Sequence, residues 1–276
     1  MAKIVGKEIL NENVTLMEVE APMIAKKALA GQFIILRVDE KGERIPLTVA
    51  STNIEQGLVT IIFQIVGFTT KKLNLLEVGD DILDFVGPLG KPTNIKDVKK
   101  ACVVAGGVGT AICYPLAQAL HKQGTEVDII IGFRNRDLII LEKEFRSLSK
   151  NTYFITDDGS YERKGLVTDV LRELLESGVR YDEVFAVGPL PMMKFVSLLT
   201  KQYNQKTTVS MNPIMMDGTG MCGMCRLTVN GETKFACVDG PDFDGFSIDY
   251  DEAIARSKMY QKEEREANCR LVNRHE

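Results

Sequence analysis

The sequence of 276 residues has no tryptophan, only two histidines, and no apolar run near the roughly 20 residues that a membrane-spanning helix needs. Its formal net charge of −4 gives no electrostatic reason to expect nucleic acid or an anionic membrane as a partner. The N-terminus, MAKIVGKEIL, lacks the basic-then-apolar order of a signal peptide, so we expect a cytoplasmic location. The remaining composition is that of an ordinary globular protein with two domains, or two and a small appendage.

The hydrophobic pattern changes twice along the chain. Residues 1–97 contain short β-branched and aromatic runs that end at turn residues, which is typical of a small β-barrel. Residues 98–208 alternate short apolar runs with helical stretches, which predicts a parallel sheet covered by helices. Residues 209–276 are first rich in glycine, methionine and cysteine and then charged. We therefore predict a mixed β and α/β fold in three parts.

The same patterns predict individual elements. Strands are expected at 13–20, 31–38, 58–65, 101–105, 127–132, 152–155 and 183–187, and helices at 110–123, 167–177 and 191–203. A hairpin is expected over residues 226–236 because Asn230-Gly231 suits its turn. The charged tail over residues 251–266 has a helical pattern and is expected to face solvent or a partner.

The spacing of cysteines in the third part is the most informative feature of the sequence. Cys222, Cys225 and Cys237 fall within sixteen residues, and the glycines between Asp217 and Cys225 let the backbone wrap closely around a metal centre. In an intracellular chain, such a group indicates metal rather than disulfides. We interpret it as an iron–sulfur site. Structural zinc and unassigned thiols are the alternatives, but neither histidine lies near this segment.

Three cysteines leave the fourth ligand of the metal centre open. A [2Fe–2S] cluster usually takes four thiolates, although a carboxylate oxygen can replace one of them. Asp217 stands five residues before Cys222, whereas Cys269 lies far away in the charged tail. We favour Asp217 as the fourth ligand and keep Cys269 as the alternative.

Glycine-rich loops follow two of the strands predicted for the parallel sheet. Backbone amides at such a loop can face a pyrophosphate when a helix begins there, and ligands bind at the carboxyl ends of parallel strands. The residues are Gly106, Gly107, Gly109 and Thr110 after one strand, and Gly188 and Pro189 after the other. Together the loops predict a nucleotide site, although each alone also suits a plain connection. Asp157 lies in a turn that is either near the nucleotide or only structural.

Two segments of the predicted barrel combine groups that suit a bound anion. The first holds Arg44, Pro46, Leu47 and Thr48, where the arginine can pair with a phosphate and the threonine can hydrogen-bond a ring nitrogen. The alternative is that this segment only begins a strand and that Arg44 is an ordinary surface residue. The second segment offers amides and hydroxyls from Gly67, Thr69 and Thr70.

In this order, the motifs resemble the ferredoxin-reductase superfamily over essentially the whole chain. The likeness is strongest to the electron-transfer subunit of NAD-dependent dihydroorotate dehydrogenase and to the small subunit of NADH-dependent reduced ferredoxin:NADP oxidoreductase, also known as sulfide dehydrogenase. The resemblance implies an FAD-binding barrel, an NAD(P)-binding α/β domain and a small [2Fe–2S] domain, divided here as residues 1–97, 98–208 and 209–276. It also implies an oxidoreductase subunit that acts on NAD(P)H.

The resemblance assigns roles to the residues named above. For the flavin, it implies that the binding strand is formed by Arg44, Pro46, Leu47 and Thr48, and that the phosphate is contacted by Gly67, Thr69 and Thr70. For the nicotinamide nucleotide, it implies a loop of Gly106, Gly107, Gly109 and Thr110, with the site closed by Asp157, Gly188 and Pro189. For the cluster, it implies the ligands Cys222, Cys225 and Cys237. The dihydroorotate dehydrogenase subunit is expected to carry cysteine where this chain has Asp217. That difference favours the ferredoxin:NADP oxidoreductase likeness.

The implied partner is a larger flavoprotein and iron–sulfur subunit in a heterodimer, which exchanges electrons with ferredoxin and NADP(H) by electron bifurcation. Two other functions stay open: an electron-transfer subunit of dihydroorotate dehydrogenase, and a zinc-stabilised nucleotide-binding regulator. Arg134 and Arg136, after the strand at 127–132, leave the choice between NAD and NADP undecided.

Overall fold

The computed structural model describes the backbone of residues 1–272 and the side chains of residues 1–267. An antiparallel sheet of seven strands forms the N-terminal part. The strands are β1 (Ala2–Asn11), β2 (Val14–Glu20), β3 (Phe33–Arg37), β4 (Ile45–Asn53), β5 (Leu58–Gln64), β6 (Asp81–Ile82) and β7 (Asp84–Leu89), and the helices are α1 (Pro22–Ala25) and α2 (Phe68–Asn74). The strand order is β6-β1-β2-β5-β4-β3-β7. Only Leu83 separates the two edge strands along the chain, so the sheet curls into a nearly closed barrel.

A second sheet of seven strands follows the barrel. Its strands are β8 (Lys100–Gly106), β9 (Glu126–Phe133), β10 (Asn151–Thr156), β11 (Arg163–Lys164), β12 (Glu183–Val187) and β13 (Thr207–Ser210), joined by β16 (Asp242–Asp244) from near the C-terminus. The helices between them are α3 (Gly109–Lys122), α4 (Glu142–Leu148), α5 (Val167–Glu176), α6 (Leu190–Gln202) and a 3₁₀ turn (Arg136–Leu138). Every neighbouring pair is parallel except β13 and β16.

The strand order β11-β10-β9-β8-β12-β13-β16 explains where a ligand can bind. The chain moves outward from β8 through β9 to β11, and then returns to the other side of β8 with β12. The loops after β8 and β12 therefore diverge at a topological switch point, where open α/β sheets bind their ligands. The apolar residues of β8 are buried on both faces, as the pattern at 101–105 predicts.

The C-terminal part contains β14 (Arg226–Val229), β15 (Glu232–Phe235), α7 (Ala236–Asp239), α8 (Tyr250–Arg256) and α9 (Gln261–Val272). The predicted hairpin is confirmed, and its turn residues Asn230 and Gly231 have φ angles of 50° and 76°, as a type I′ turn requires. The charged tail is helical as predicted, but Tyr260 has a φ of 66° and the helix is interrupted before it restarts as α9. No helix in the described part of the chain is long and apolar enough to cross a membrane.

One apolar core connects the three parts. Phe33 and Ile35 of the barrel pack in the same cluster as Val104 of the parallel sheet and as Cys225 and Cys237 of the C-terminal part. The last part also adds β16 to the parallel sheet, and β13 crosses the predicted division near residue 208. The mixed β and α/β fold is confirmed, whereas the division at 97 and 208 stays a prediction.

A buried polar pair joins Asp128 of β9 to Tyr181, which precedes β12. The hydroxyl of Tyr181 donates to Asp128 Oδ2 at 2.6 Å, and Asn151 Nδ2 donates to Oδ1 of the same carboxylate at 2.8 Å. Tyr181 and Asp128 are only 6% and 4% exposed, and this burial raises the pKa of Tyr181 far above its usual value. The Tyr181 hydroxyl therefore stays protonated and donates its hydrogen bond to Asp128.

We expect Tyr181→Phe to lower the free energy of unfolding by about 1–3 kcal/mol, because a buried carboxylate loses a hydrogen-bond donor. Urea denaturation followed by far-UV circular dichroism measures the change. Tyr203→Phe is the matched control, since Tyr203 loses only a long, exposed contact of 3.4 Å to Glu176. Equal stabilities of the two variants would contradict this account of the buried pair.

Candidate functional site

Two of the candidate metal ligands are in contact. Cys225 directly precedes β14 and Cys237 lies in α7, so the hairpin brings their Sγ atoms to 3.2 Å. Both side chains are buried. Burial, and then the neighbouring Cys225 thiol, raises the pKa of Cys237 to about 12. Two soft sulfur donors this close fit a shared metal ion, whose charge would hold them as thiolates.

The third cysteine lies on the loop that crosses this pair, which we call the cluster loop (residues 216–224). Cys222 is exposed, and its pKa is lowered chiefly by the backbone N–H of Met224 and then by those of Asp217 and Met216. Gly218 has a φ of 82°, a backbone conformation that glycine adopts without strain. The loop thus points several amides at one sulfur, as expected around an iron–sulfur cluster.

Asp217 is held by its own loop. Its Oδ2 atom accepts hydrogen bonds from the Thr219 hydroxyl, from the Thr219 amide at 2.9 Å and from the Met221 amide at 3.3 Å. These bonds, from the Thr219 hydroxyl first, lower the pKa of the carboxyl group, and the Arg44 cation adds to the effect. The side chain of Cys269, the alternative ligand, lies outside the described residues.

The structure brings only part of the predicted ligand set together. Cys225 and Cys237 touch, while Cys222 and Asp217 share the cluster loop above them. Among residues 1–267, no three His, Cys, Asp or Glu side chains converge at metal-binding distance. The donors nevertheless suit iron–sulfur chemistry, because thiolates and loop amides, rather than imidazoles, surround the position.

A cleft of about 950 Å³ opens at the switch point of the parallel sheet. Most of the predicted nucleotide residues line it: Gly106, Gly107, Gly109, Asp157, Gly188 and Pro189. A methyl group on Gly109 would lie 2.4 Å from the carbonyl oxygen of Val187, so only glycine lets α3 begin this close to β12. The cleft therefore depends on the glycines that the sequence singles out.

Thr110, the remaining predicted residue of this loop, is not among the residues that line the cleft. Its side chain is fully buried, and its Oγ1 atom has no hydrogen-bond partner among the described residues. Buried hydroxyls are normally paired, so an orphan at the start of α3 marks a place where a further polar group fits. Together with the glycine cradle, it shows that the loop suits a phosphate-bearing ligand.

Several further residues border the cleft, and all of them except Arg134 carry no local sequence signal. Arg134, Leu166, Arg172, Met192 and Phe195 also line it, and Leu166 and Phe195 are 58% and 60% exposed. Arg134 follows β9, Leu166 and Arg172 belong to the start and body of α5, and Met192 and Phe195 lie on α6, so no single motif joins all five in sequence. The two arginines noted after β9 also differ: Arg134 lines the cleft, whereas the guanidinium of Arg136 lies 5.6 Å from the ring of Tyr161.

The predicted flavin strand is β4, which pairs with β3. Pro46, Leu47 and Thr48 are half-buried there. Arg44 precedes β4, and its Nε donates to the carbonyl oxygen of Met216 at 3.0 Å, while Nη1 lies 3.8 Å from Asp84 Oδ2. The arginine is therefore committed to the cluster loop, a contact between residues 172 positions apart that local motifs do not reveal.

The second barrel segment forms the start of α2. Thr70 Oγ1 accepts a hydrogen bond from the Gly67 amide at 3.0 Å, and Thr69 is buried. The amide of Phe68 donates to Glu264 Oε1 of α9 at 2.7 Å. A phosphate that used this amide would have to displace the Glu264 carboxylate.

Comparison with known proteins places this arrangement in a family. Residues 212–249 match the iron–sulfur cluster binding domain of dihydroorotate dehydrogenase B, and residues 103–198 match the oxidoreductase NAD-binding domain. The electron transfer subunit homolog of dihydroorotate dehydrogenase B from Thermotoga maritima is 45% identical, with 95% of this chain and 93% of that protein covered. The chain belongs to this family of ferredoxin-reductase-like electron-transfer subunits.

Two further relatives cover nearly the whole chain. A protein from Clostridium beijerinckii, described as an uncharacterized protein in the adh 3′ region, is 53% identical over 98% of this chain and 94% of its own. A solved structure from work on flavin-based electron bifurcation by NADH-dependent reduced ferredoxin-NADP oxidoreductase is 44% identical. It superimposes with a TM-score of 0.92, covering 99% of this chain and 98% of that one. The predicted resemblance is confirmed, and this family member carries an iron–sulfur domain and an NAD-binding domain.

We expect Thr110→Val to raise the free energy of unfolding of the nucleotide-free protein by about 1 kcal/mol, because a buried hydroxyl without a partner is removed. The same change should weaken NADH binding by roughly fivefold, the equivalent of one hydrogen bond. Urea denaturation and fluorescence titration with NADH measure the two effects.

Thr200→Val is the control for this prediction. Thr200 is also fully buried, but its Oγ1 donates to Val196 O at 3.0 Å and accepts from Thr207 Oγ1 at 2.7 Å. This variant should lose about 1–3 kcal/mol of stability and bind NADH as the wild type does. A loss of stability in Thr110→Val as large as that in Thr200→Val would contradict the interpretation of Thr110.

Proposed function

We propose that this chain moves electrons between NAD(H), FAD and a [2Fe–2S] cluster and passes them to a larger flavoprotein partner. The complex we infer is an electron-bifurcating NADH-dependent ferredoxin:NADP oxidoreductase, in which ferredoxin and NADP(H) react at the partner. The observation that carries the proposal is the contact between the cluster loop and the barrel. A methyl group on Gly218 would lie 2.9 Å from Cγ1 of Ile35, and Ile35 pairs with Pro46 of the candidate flavin strand.

The chain's own residues divide the task into three positions. The glycine loop after β8 and the Gly188-Pro189 turn would hold the nucleotide, with Asp157 at its far end. Pro46, Leu47 and Thr48 of β4 would hold the flavin ring, and the start of α2 its phosphate. Cys222, Cys225, Cys237 and Asp217 would bind the cluster. Bound FAD would supply the conversion between hydride transfer and single-electron transfer, for which the protein provides binding and orientation.

A second candidate is an electron-transfer subunit of dihydroorotate dehydrogenase. The match of residues 212–249 and the name of the Thermotoga relative favour it. It differs from the first candidate in the partner rather than in the chemistry of this chain. Co-purification with a dihydroorotate-oxidising subunit would favour it, and co-purification with a ferredoxin-reactive flavoprotein would favour the first. A zinc-stabilised regulator gains no support from the match to an iron–sulfur domain.

The test is a visible spectrum of the anaerobically purified chain with iron and flavin quantified. We expect flavin bands over broad cluster absorption, with about two irons and about one flavin per chain. Anaerobic addition of NADH should bleach the flavin bands. A colourless chain that cannot be reconstituted would contradict the proposal, and so would rapid NADH-driven reduction of ferredoxin by the isolated chain.

The ligand set gives a separate prediction. Asp217→Ala should lower the iron content several-fold and make the remaining cluster labile, because one of its four ligands is lost. Asp217→Cys should keep the iron and change the electron paramagnetic resonance spectrum of the reduced cluster. Cys269→Ala is the control and should leave both unchanged. Loss of iron from Cys269→Ala, with iron retained in Asp217→Ala, would instead identify Cys269 as the fourth ligand.

A further inference from the structure

Two arginines hold the ends of the cluster loop. Arg44 Nε donates to Met216 O at 3.0 Å, and Arg256 Nη2 donates to Met224 O at 3.1 Å. One comes from the barrel and the other from α8, so the loop is tied to two different parts of the molecule. Hydrogen bonds from charged donors are stronger than neutral ones, which suits a segment that must keep a fixed shape.

Arg44 has a special position among these contacts. It directly precedes β4, and its carbonyl partner, Met216, directly precedes Asp217. The nearby carboxylate of Asp84 is already paired with Arg37, whose Nε lies 2.7 Å from Oδ2, compared with 3.8 Å for Arg44 Nη1. The positive charge of Arg44 is therefore less compensated by Asp84 than that of Arg37, and it faces the loop.

We propose that Arg44 is a positioning residue for the cluster that the function proposed above requires. It fixes the cluster loop against the candidate flavin strand, and its charge raises the reduction potential of the bound cluster. Reduction adds one electron to the cluster, and a cation beside a ligand stabilises the added negative charge. The guanidinium thus favours electron transfer from the flavin side to the cluster.

This role differs from the phosphate pairing that the sequence allows for Arg44, which the resemblance assigns to the flavin-binding strand. A guanidinium that pairs with the flavin phosphate controls flavin affinity and has little effect on the cluster. A guanidinium that hydrogen-bonds to the Met216 carbonyl affects the cluster potential and has little effect on flavin affinity. The two roles can therefore be separated by measuring flavin content and cluster potential in the same preparation.

The experiment uses the full chain, purified anaerobically with its cofactors, as wild type, Arg44→Gln, Arg44→Lys and Lys7→Gln. Redox titration followed by electron paramagnetic resonance gives the cluster potential, and chemical analysis gives iron and flavin. For Arg44→Gln we expect unchanged iron and flavin. The ratio of reduced to oxidised cluster at a fixed ambient potential should fall about three- to tenfold, where tenfold equals 59 mV for one electron.

The other variants separate charge from contact. Arg44→Lys keeps the charge but loses the planar donor group, so it should keep the wild-type potential while the amides of residues 218–224 exchange hydrogen faster. It also serves if the glutamine variant does not fold. Lys7→Gln removes a cation of the same barrel whose contacts are with Glu77 and with the carbonyls of Asn74 and Leu76, and should leave the potential unchanged.

Three results would overturn the proposal. Loss of flavin from Arg44→Gln with an unchanged cluster potential would assign the arginine to the flavin phosphate. An equal shift in Lys7→Gln would show only a general effect of charge, and a lowered potential in Arg44→Lys would remove the role of the charge. A wild-type chain without iron would instead contradict the proposed function itself, so the two failures are distinguishable.

Discussion

The shared apolar core around β3 is the constraint on which the other features depend. Phe33 and Ile35 face the parallel sheet and the C-terminal part at once, so three chain segments are fixed relative to one another by one buried cluster. Buried side chains pack at crystal-like density, and small displacements are therefore resisted. The proposed electron transfer between separately bound cofactors would need fixed distances, which such a core can supply without a rigid linker between the parts.

Glycine makes the close approaches at both ends of this core possible. Gly109 lets α3 start against the carbonyl of Val187, and Gly218 lets the cluster loop lie against Ile35 and Leu89. At both positions a methyl group would lie under 3 Å from its neighbour, so any other residue would push two elements apart. The nucleotide cleft and the cluster loop thus share one structural feature: a glycine backbone packs directly against atoms of an adjacent strand.

Sequence patterns predicted those helices, strands and turns that depend on neighbouring residues in the chain. The buried run at 101–105, the helix after it and the Asn230-Gly231 hairpin all form where expected, because burial periodicity and turn conformation depend on adjacent residues. The cysteine and glycine spacing likewise identified the metal segment. The bond of Arg44 to Met216 and that of Phe68 to Glu264 span 172 and 196 residues, and β16 joins a sheet formed much earlier in the chain. Such pairings depend on how the parts pack, which no local pattern contains.

The candidate cluster ligands differ in burial. Cys225 and Cys237 lie in the core shared with the barrel, whereas Cys222 and its neighbour Met221 lie at the surface, the latter 84% exposed. One side of a bound cluster would therefore face the flavin strand and the other would face solvent or a partner. An exposed, flexible methionine beside a surface ligand suits contact with a second protein. Under the proposed function, the buried pair would thus serve the side of the cluster toward β3, and Cys222 the side toward the partner.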